Sequence, residues 1–161
     1  ADNSDTVGSL AGAGAIDLGS GTLITGGNDT TTSFTGVISG TGDLDKIGTG
    51  NQSLSGTNNF TGTTTVSEGT LTLSSTDPLS ATSDITIGDG TLALGANNAI
   101  NTSANIDISS AGVLDLGGNS QAVGNLTAAE GATLDFGTPS LRRTFPRFIF
   151  PASVWPSSKR A

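Results

Sequence analysis

The chain has 161 residues, 24 of them Gly, with no Cys, His, Met or Tyr; 12 % are charged and 34 % hydrophobic. This excludes a disulfide framework and a thiolate metal site, and it leaves little for an ordinary globular core, yet the charge content is too low for a charge-driven disordered chain. The formal charge of -8 divides into -13 over residues 1–140, where Lys46 is the single base, and +5 over the last 21 residues; a body with no means of neutralising phosphates has no use for nucleic acid as a partner.

Short Gly-punctuated phrases begin near the N-terminus with "GAGAIDLG" at 12–19, "GSGTLITGG" at 19–27 and "GTGDLDKIG" at 40–48. They become regular further on, as "SEGTLTLSS" at 67–75, "GDGTLALGA" at 88–96 and "SAGVLDLGG" at 110–118. Three apolar columns advance together: Val66, Ile87, Ile108; then Leu71, Leu92, Leu114, Leu134, each followed two residues on by Leu73, Leu94, Leu116, Phe136; then Leu79, Ile100, Val123. Within each phrase apolar residues alternate with Thr, Ala or Asp, the period of a strand with one buried face, and no stretch carries a helical stripe.

A fixed period of about 20 residues holding three short strands predicts a solenoid, because one such coil cannot bury its inner face alone. The expected fold is all-β: a single-stranded, right-handed parallel β-helix of about 20–22 residues per coil over residues 1–140, with a non-repeat tail at 141–161. Leu71, Leu92, Leu114 and Leu134 should stack at the ~4.8 Å strand spacing, each burial contributing roughly 1.5–3 kcal/mol. Gly69, Gly90, Gly112 and Gly131 should turn the matching corner with positive φ. The longer step from Gly42 to Gly69 predicts an enlarged loop. A larger repeat, "TVGSLAGAGAIDLG" at 6–19 against "AVGNLTAAEGATLDFG" at 122–137, suggests one large unit and the start of another, hence a piece of a longer array.

Residues 34–73 carry Phe34-Thr35-Gly36-Val37-Ile38-Ser39-Gly40, Lys46-x-Gly48-Thr49-Gly50, Leu54-Ser55-Gly56-Thr57-Asn58-Asn59, Phe60-Thr61-Gly62 and Glu68-Gly69-Thr70-Leu71. This succession resembles the autotransporter-associated β-strand repeat of bacterial passenger domains, and the similarity in style extends over residues 6–138. The resemblance implies a right-handed parallel β-helix that is exported and either displayed on a bacterial surface or released. It brings no catalytic residues and no cofactor.

Several candidate sites have plainer readings. Asp43 and Asp45 in "GTGDLD" could offer hard oxygen ligands to calcium, but the motif does not recur in tandem, and a solvated turn is the better reading. Thr63, Thr64, Thr65, Thr70 and Thr72 invite comparison with ice-binding arrays, yet Thr70-x-Thr72 becomes Thr91-x-Ala93 and then Val113-x-Asp115. Asp107 with Asp115, or Asp84 with Asp89, could form a carboxylate pair for glycoside cleavage, but the body has no Arg or His to set beside them. The sequons at Asn28, Asn51, Asn59, Asn101 and Asn125 arise readily in a chain this rich in Ser and Thr.

The tail concentrates Phe145, Phe148, Phe150 and Trp155 with five bases and three Pro. Its break in composition reads first as an out-of-frame continuation and second as an arm for anionic lipid, the one place where membrane contact is conceivable. It is expected to be irregular or disordered. The leading functional expectation is a non-enzymatic structural or adhesive segment, with no catalytic, cofactor or metal site. Its expected partners are flanking coils of the same array and glycans or proteins of a host or neighbouring cell surface. A carbohydrate-binding or carbohydrate-cleaving β-helix is the alternative.

Overall fold

A computed structural model describes residues 4–76, 78–137, 142–144 and 148–151. In chain order the strands are β1 (Asp5–Val7), β2 (Ala15–Asp17), β3 (Thr22–Thr25), β4 (Thr32–Phe34), β5 (Val37–Ser39), β6 (Asp43–Lys46) and β7 (Asn51–Leu54). They continue as β8 (Thr64–Val66), β9 (Thr70–Leu73), β10 (Asp84–Ile87), β11 (Thr91–Leu94), β12 (Asn105–Ile108), β13 (Val113–Asp115), β14 (Asn125–Ala128), β15 (Thr133–Asp135), β16 (Arg142–Thr144) and β17 (Phe148–Pro151). Strands of three or four residues follow from the sequence: Gly, Asn, Asp and Ser interrupt every apolar alternation before it lengthens.

The strands wind into a parallel β-solenoid of about six turns. The first face stacks β1, β3, β6, β8, β10, β12 and β14, all parallel, and the second stacks β4, β7, β9, β11, β13 and β15 in the same sense. A third, thinner face pairs β2 with β5 and continues through single bridges from Asn58 to Leu79 and from Leu79 to Ile100. Partners one coil apart are 18 to 22 residues apart along the chain.

The inner columns are as the periodicity predicts. Leu71, Leu92, Leu114 and Leu134 are direct register partners and all are buried. Val66, Ile87 and Ile108 form the first-face column and end on Ala128. Phe34, Leu54, Leu73 and Leu94 form a further one; Leu116 and Phe136, expected to continue it, lie just past the ends of β13 and β15 and are only half-buried. The third column runs from Leu79 to Ile100, but Val123 does not extend the bridge; instead the Gln121 side chain occupies the Ile100 backbone, its Oε1 accepting from Ile100 N at 3.0 Å and its Nε2 donating to Ile100 O at 2.9 Å.

Further expectations change. Among the four corner glycines only Gly69 (φ 63°) and Gly131 (φ 94°) have positive φ. Gly90 and Gly112 are small for another reason: a Cβ would lie 2.7 Å from Val66 Cγ1 at Gly90, and 2.7 Å from the Ile87 and Gly88 carbonyl oxygens at Gly112. The enlarged loop between Gly42 and Gly69 is absent, because "GDLDK" lies on the first face and "GTLTL" on the second. Gly42 is answered by Gly62, and the coil from Leu44 to Thr64 is of ordinary length.

The large repeat is also out of register. Ile16 sits on the third face above which Ile38 stacks, whereas Leu134 sits on the second; Val7 pairs with Thr25 on the first face, whereas Val123 precedes β14. Within the tail expected to be irregular, β16 pairs antiparallel with β15 and β17 with β14; residues 141, 145–147 and 152–161 lie outside the described residues.

One close-packed Gly stack and one inward hydroxyl yield a paired prediction. At Gly56 a Cβ would overlap the Gly36 carbonyl oxygen of the coil beneath, so Gly56→Ala should destabilise by about 1–3 kcal/mol through overpacking against rigid backbone. Thr64 is fully buried in a column between Leu44 and Ile85, and its hydroxyl has no hydrogen-bond partner. Thr64→Val should therefore stabilise by about 1 kcal/mol. Urea unfolding of the two variants beside the parent chain checks both signs.

Candidate functional site: the polar rungs between Lys46 and Asn58

The most unusual chemistry lies inside the coil wall. In "DLDK" the strand period turns Leu44 and Lys46 inward, so Lys46 stands in the first-face column between Thr25 and Val66 and is only 1 % exposed. Its Nζ donates to the carbonyls of Ile47 and Gly48, both at 2.7 Å, and of Glu68 at 3.3 Å. The ammonium thus ties its own turn to the turn of the next coil. Gly48 (φ 70°) lets that turn fold back over the ammonium.

Burial pushes the Lys46 amine below its ordinary value of 10.5, opposed by the negative charges of Asp29, Glu68 and Asp45. Asp29 also takes part in the same corner, its Oδ1 accepting from Thr49 N at 2.7 Å.

Asn58 closes the other end of the motif. It is 1 % exposed; its Oδ1 accepts from Ile38 N one coil below at 2.8 Å, and its Nδ2 donates to Pro78 O one coil above at 2.8 Å and to Gly56 O at 3.2 Å. Gln52, 2 % exposed under Leu71, donates through Nε2 to Leu10 O at 3.0 Å and Ser53 O at 3.2 Å, and its Oε1 accepts from Thr32 Oγ1 at 3.0 Å. Each buried polar group satisfies backbone that the short, curving strands leave unpaired. This arrangement can hold coils in register. It presents no nucleophile or acid to a substrate.

The acids considered from sequence are used similarly. Asp43 and Asp45 both point outward from β6; Asp43 Oδ1 accepts from Thr63 N at 2.7 Å and Thr63 Oγ1 at 3.0 Å, and Asp45 Oδ1 from Ser67 Oγ at 2.8 Å. No group of three potential ligands forms among the described residues. Asp107 lies on β12 of the first face and Asp115 on β13 of the second, where it accepts from Gly117 N, so they are not brought together as a pair. Asp84 accepts from Asn105 Nδ2 at 2.7 Å, and Asp89 belongs to the following turn. Thr64 faces the core while Thr70 and Thr72 face outward beneath Thr91 and Ala93, leaving the Thr array broken.

One hollow of about 230 Å³ lies near the C-terminal end, lined by Leu114, Leu116, Gln121, Ala122, Val123, Leu126 and Leu134. Gln121 is its one polar side chain, and both ends of that amide are engaged by backbone. Sequence reasoning singled out neither Lys46, Gln52 nor Asn58 as an interior group. Alternation from Leu44 would have found Lys46, and the Gln52 to Leu54 spacing would have found Gln52; Asn58 lies outside any strand.

The fold and these rungs define a parallel β-solenoid whose coils are pinned by buried polar side chains. Residues 44–73, from β6 through β9, match the passenger-associated-transport-repeat family model, the autotransporter passenger repeat that the sequence resembles. The matched stretch contains Lys46, Gln52 and Asn58. No curated protein matches the chain, and no solved structure matches it.

The Lys46 contacts set a pH-dependent prediction. The unfolded chain keeps this proton up to about its ordinary value, while the folded chain releases it at lower pH, so folding sheds a proton in that window and stability rises with pH there. Lys46→Met leaves three carbonyls without their donor and should lose about 1–3 kcal/mol near neutral pH. The gap between parent and variant should widen as pH climbs toward 10.5, measured by urea unfolding at a series of pH values.

Proposed function

We propose that this chain is a non-enzymatic scaffold segment of an exported bacterial passenger, standing at the cell surface or released from it. The repeat at 44–73 and the solenoid fold fit an autotransporter passenger segment. The observation that carries the mechanical reading is the use of interior polar groups as coil-to-coil ties: Lys46, Gln52 and Asn58 all bond backbone, with none left to face a ligand.

The mechanism is geometric. At ~4.8 Å per coil, about six turns give a rigid spacer roughly 30 Å long. Its first face presents an outward row of Asp45, Thr65, Thr86, Asp107 and Thr127, a hydrated and negatively charged strip. Such a strip suits adhesion to glycans or proteins of a host or neighbouring cell through hydrogen bonds. Carbohydrate cleavage, or sugar binding by aromatic stacking, finds less support: Phe34 and Phe60, which could have stacked on sugars, are both buried in the core.

A glycan array run beside a reducing-sugar assay tests this reading. The scaffold role predicts no sugar released from any polysaccharide, and any glycan retention to weaken when Asp45 and Asp107 are replaced by Asn. Release of reducing ends by the purified chain would overturn it.

A further inference from the structure

The two ends of the described solenoid are unequal. At the N-terminal end, among the described residues, β1 and β2 carry no further strand on their outer edges, and β4 meets only the single bridge from Gly12 to Phe34. Such an edge offers unpaired N–H and C=O groups to any other strand. At the opposite end the last coil is covered: β17 lies along β14, with Leu126 opposite Phe150 and Ala128 opposite Phe148, and β16 lies along β15, with Thr133 opposite Thr144 and Asp135 opposite Arg142.

Among the described residues every other strand pairing is parallel. At this coil the parallel stacking gives way to strands that run back along it. We propose that Arg142–Pro151 is an end cap, occupying on both main faces the edge at which the N-terminal coil of a second copy would otherwise add.

Three features of the segment suit it to this role. It is cationic against an acidic body, +5 over the last 21 residues against -13 over the first 140, so long-range attraction brings it back to the solenoid. Its strands are only three and four residues long. Its own outer edge is a poor template, since β16 is Arg-Arg-Thr and β17 ends in Pro151, which has no N–H to donate; short, charged and Pro-bearing edges are those that resist further pairing.

Without the cap, the open N-terminal edge of one copy and the exposed β14 and β15 edge of another make a head-to-tail contact. A contact of that kind does not close on itself and propagates into filaments. With the cap, association stops at pairs of N-terminal edges.

Sedimentation velocity of the full chain and of a chain ending at Gly137, at equal concentration and low salt, tests the proposal. The full chain should sediment as monomer or at most dimer, and the shortened one as a concentration-dependent series well beyond dimer. A shortened chain that stays monomeric, or a full chain that forms the same series, overturns it. Should the shortened chain misfold, amide exchange on the full chain decides: alternate amides within Arg142–Thr144 and Phe148–Phe150 should be slowed about a hundredfold or more relative to unstructured peptide, and exchange at the unstructured rate rejects the cap.

Discussion

No coil of this chain has a core of its own. Twenty or so residues with two or three inward aliphatic side chains become stable only when the coil above and the coil below supply the contacts, so burial and inter-coil hydrogen bonding are a single event. The register that places Leu92 between Leu71 and Leu114 is the same register that lets Thr91 N reach Gly69 O and Gly95 N reach Leu73 O. Slipping one strand by one residue would turn its whole aliphatic set outward. Everything else in the molecule serves that alignment.

The polar interior follows from the same constraint. Strands of three or four residues leave many corner carbonyls and amides with no strand partner, and these corners are stacked in close contact. Glycines at 36, 42, 56 and 62 allow the approach, their missing Cβ being where the carbonyl of the coil beneath sits. Lys46, Gln52 and Asn58 then reach in as surrogate backbone, one cation and two amides bridging coils, Gln52 across two coil periods to Leu10. A solenoid of short coils can therefore have a demanding sequence for structural reasons alone. The passenger-associated-transport-repeat match at 44–73 falls on the stretch where these surrogates concentrate, whereas the main columns of the coils above it are mostly Leu and Ile.

Sequence alone revealed the architecture where the columns are homogeneous. Leu-x-Leu at a period near 20 is readable because the strand period and the coil period reinforce one another, as from Val66 to Leu134. Below Val66 the columns are mixed: Thr25, Lys46 and Val66 share one, and Thr32, Gln52 and Leu71 are aligned in another. There a phrase of the same shape, Gly-x-Leu-x, serves the first face in "GTLIT" and "GDLDK" and the second in "GTLTL", so phrase matching assigns the wrong face and invents a loop. The 6–19 and 122–137 resemblance misleads in the same way. Buried Asn58 was hidden because its partners, Ile38 N and Pro78 O, are backbone groups twenty residues to either side, and no local spacing announces them.

The vertical pile of like side chains is the claim from which register, rigidity and the proposed scaffold role all descend. Methyl-labelled Leu in solution tests it most directly, through nuclear Overhauser contacts among Leu71, Leu92 and Leu114. The structure predicts strong contacts from Leu71 to Leu92 and from Leu92 to Leu114, accompanied by the cross-strand backbone pattern of parallel pairing. Absence of these contacts, or an antiparallel pattern between Thr70–Leu73 and Thr91–Leu94, would contradict it.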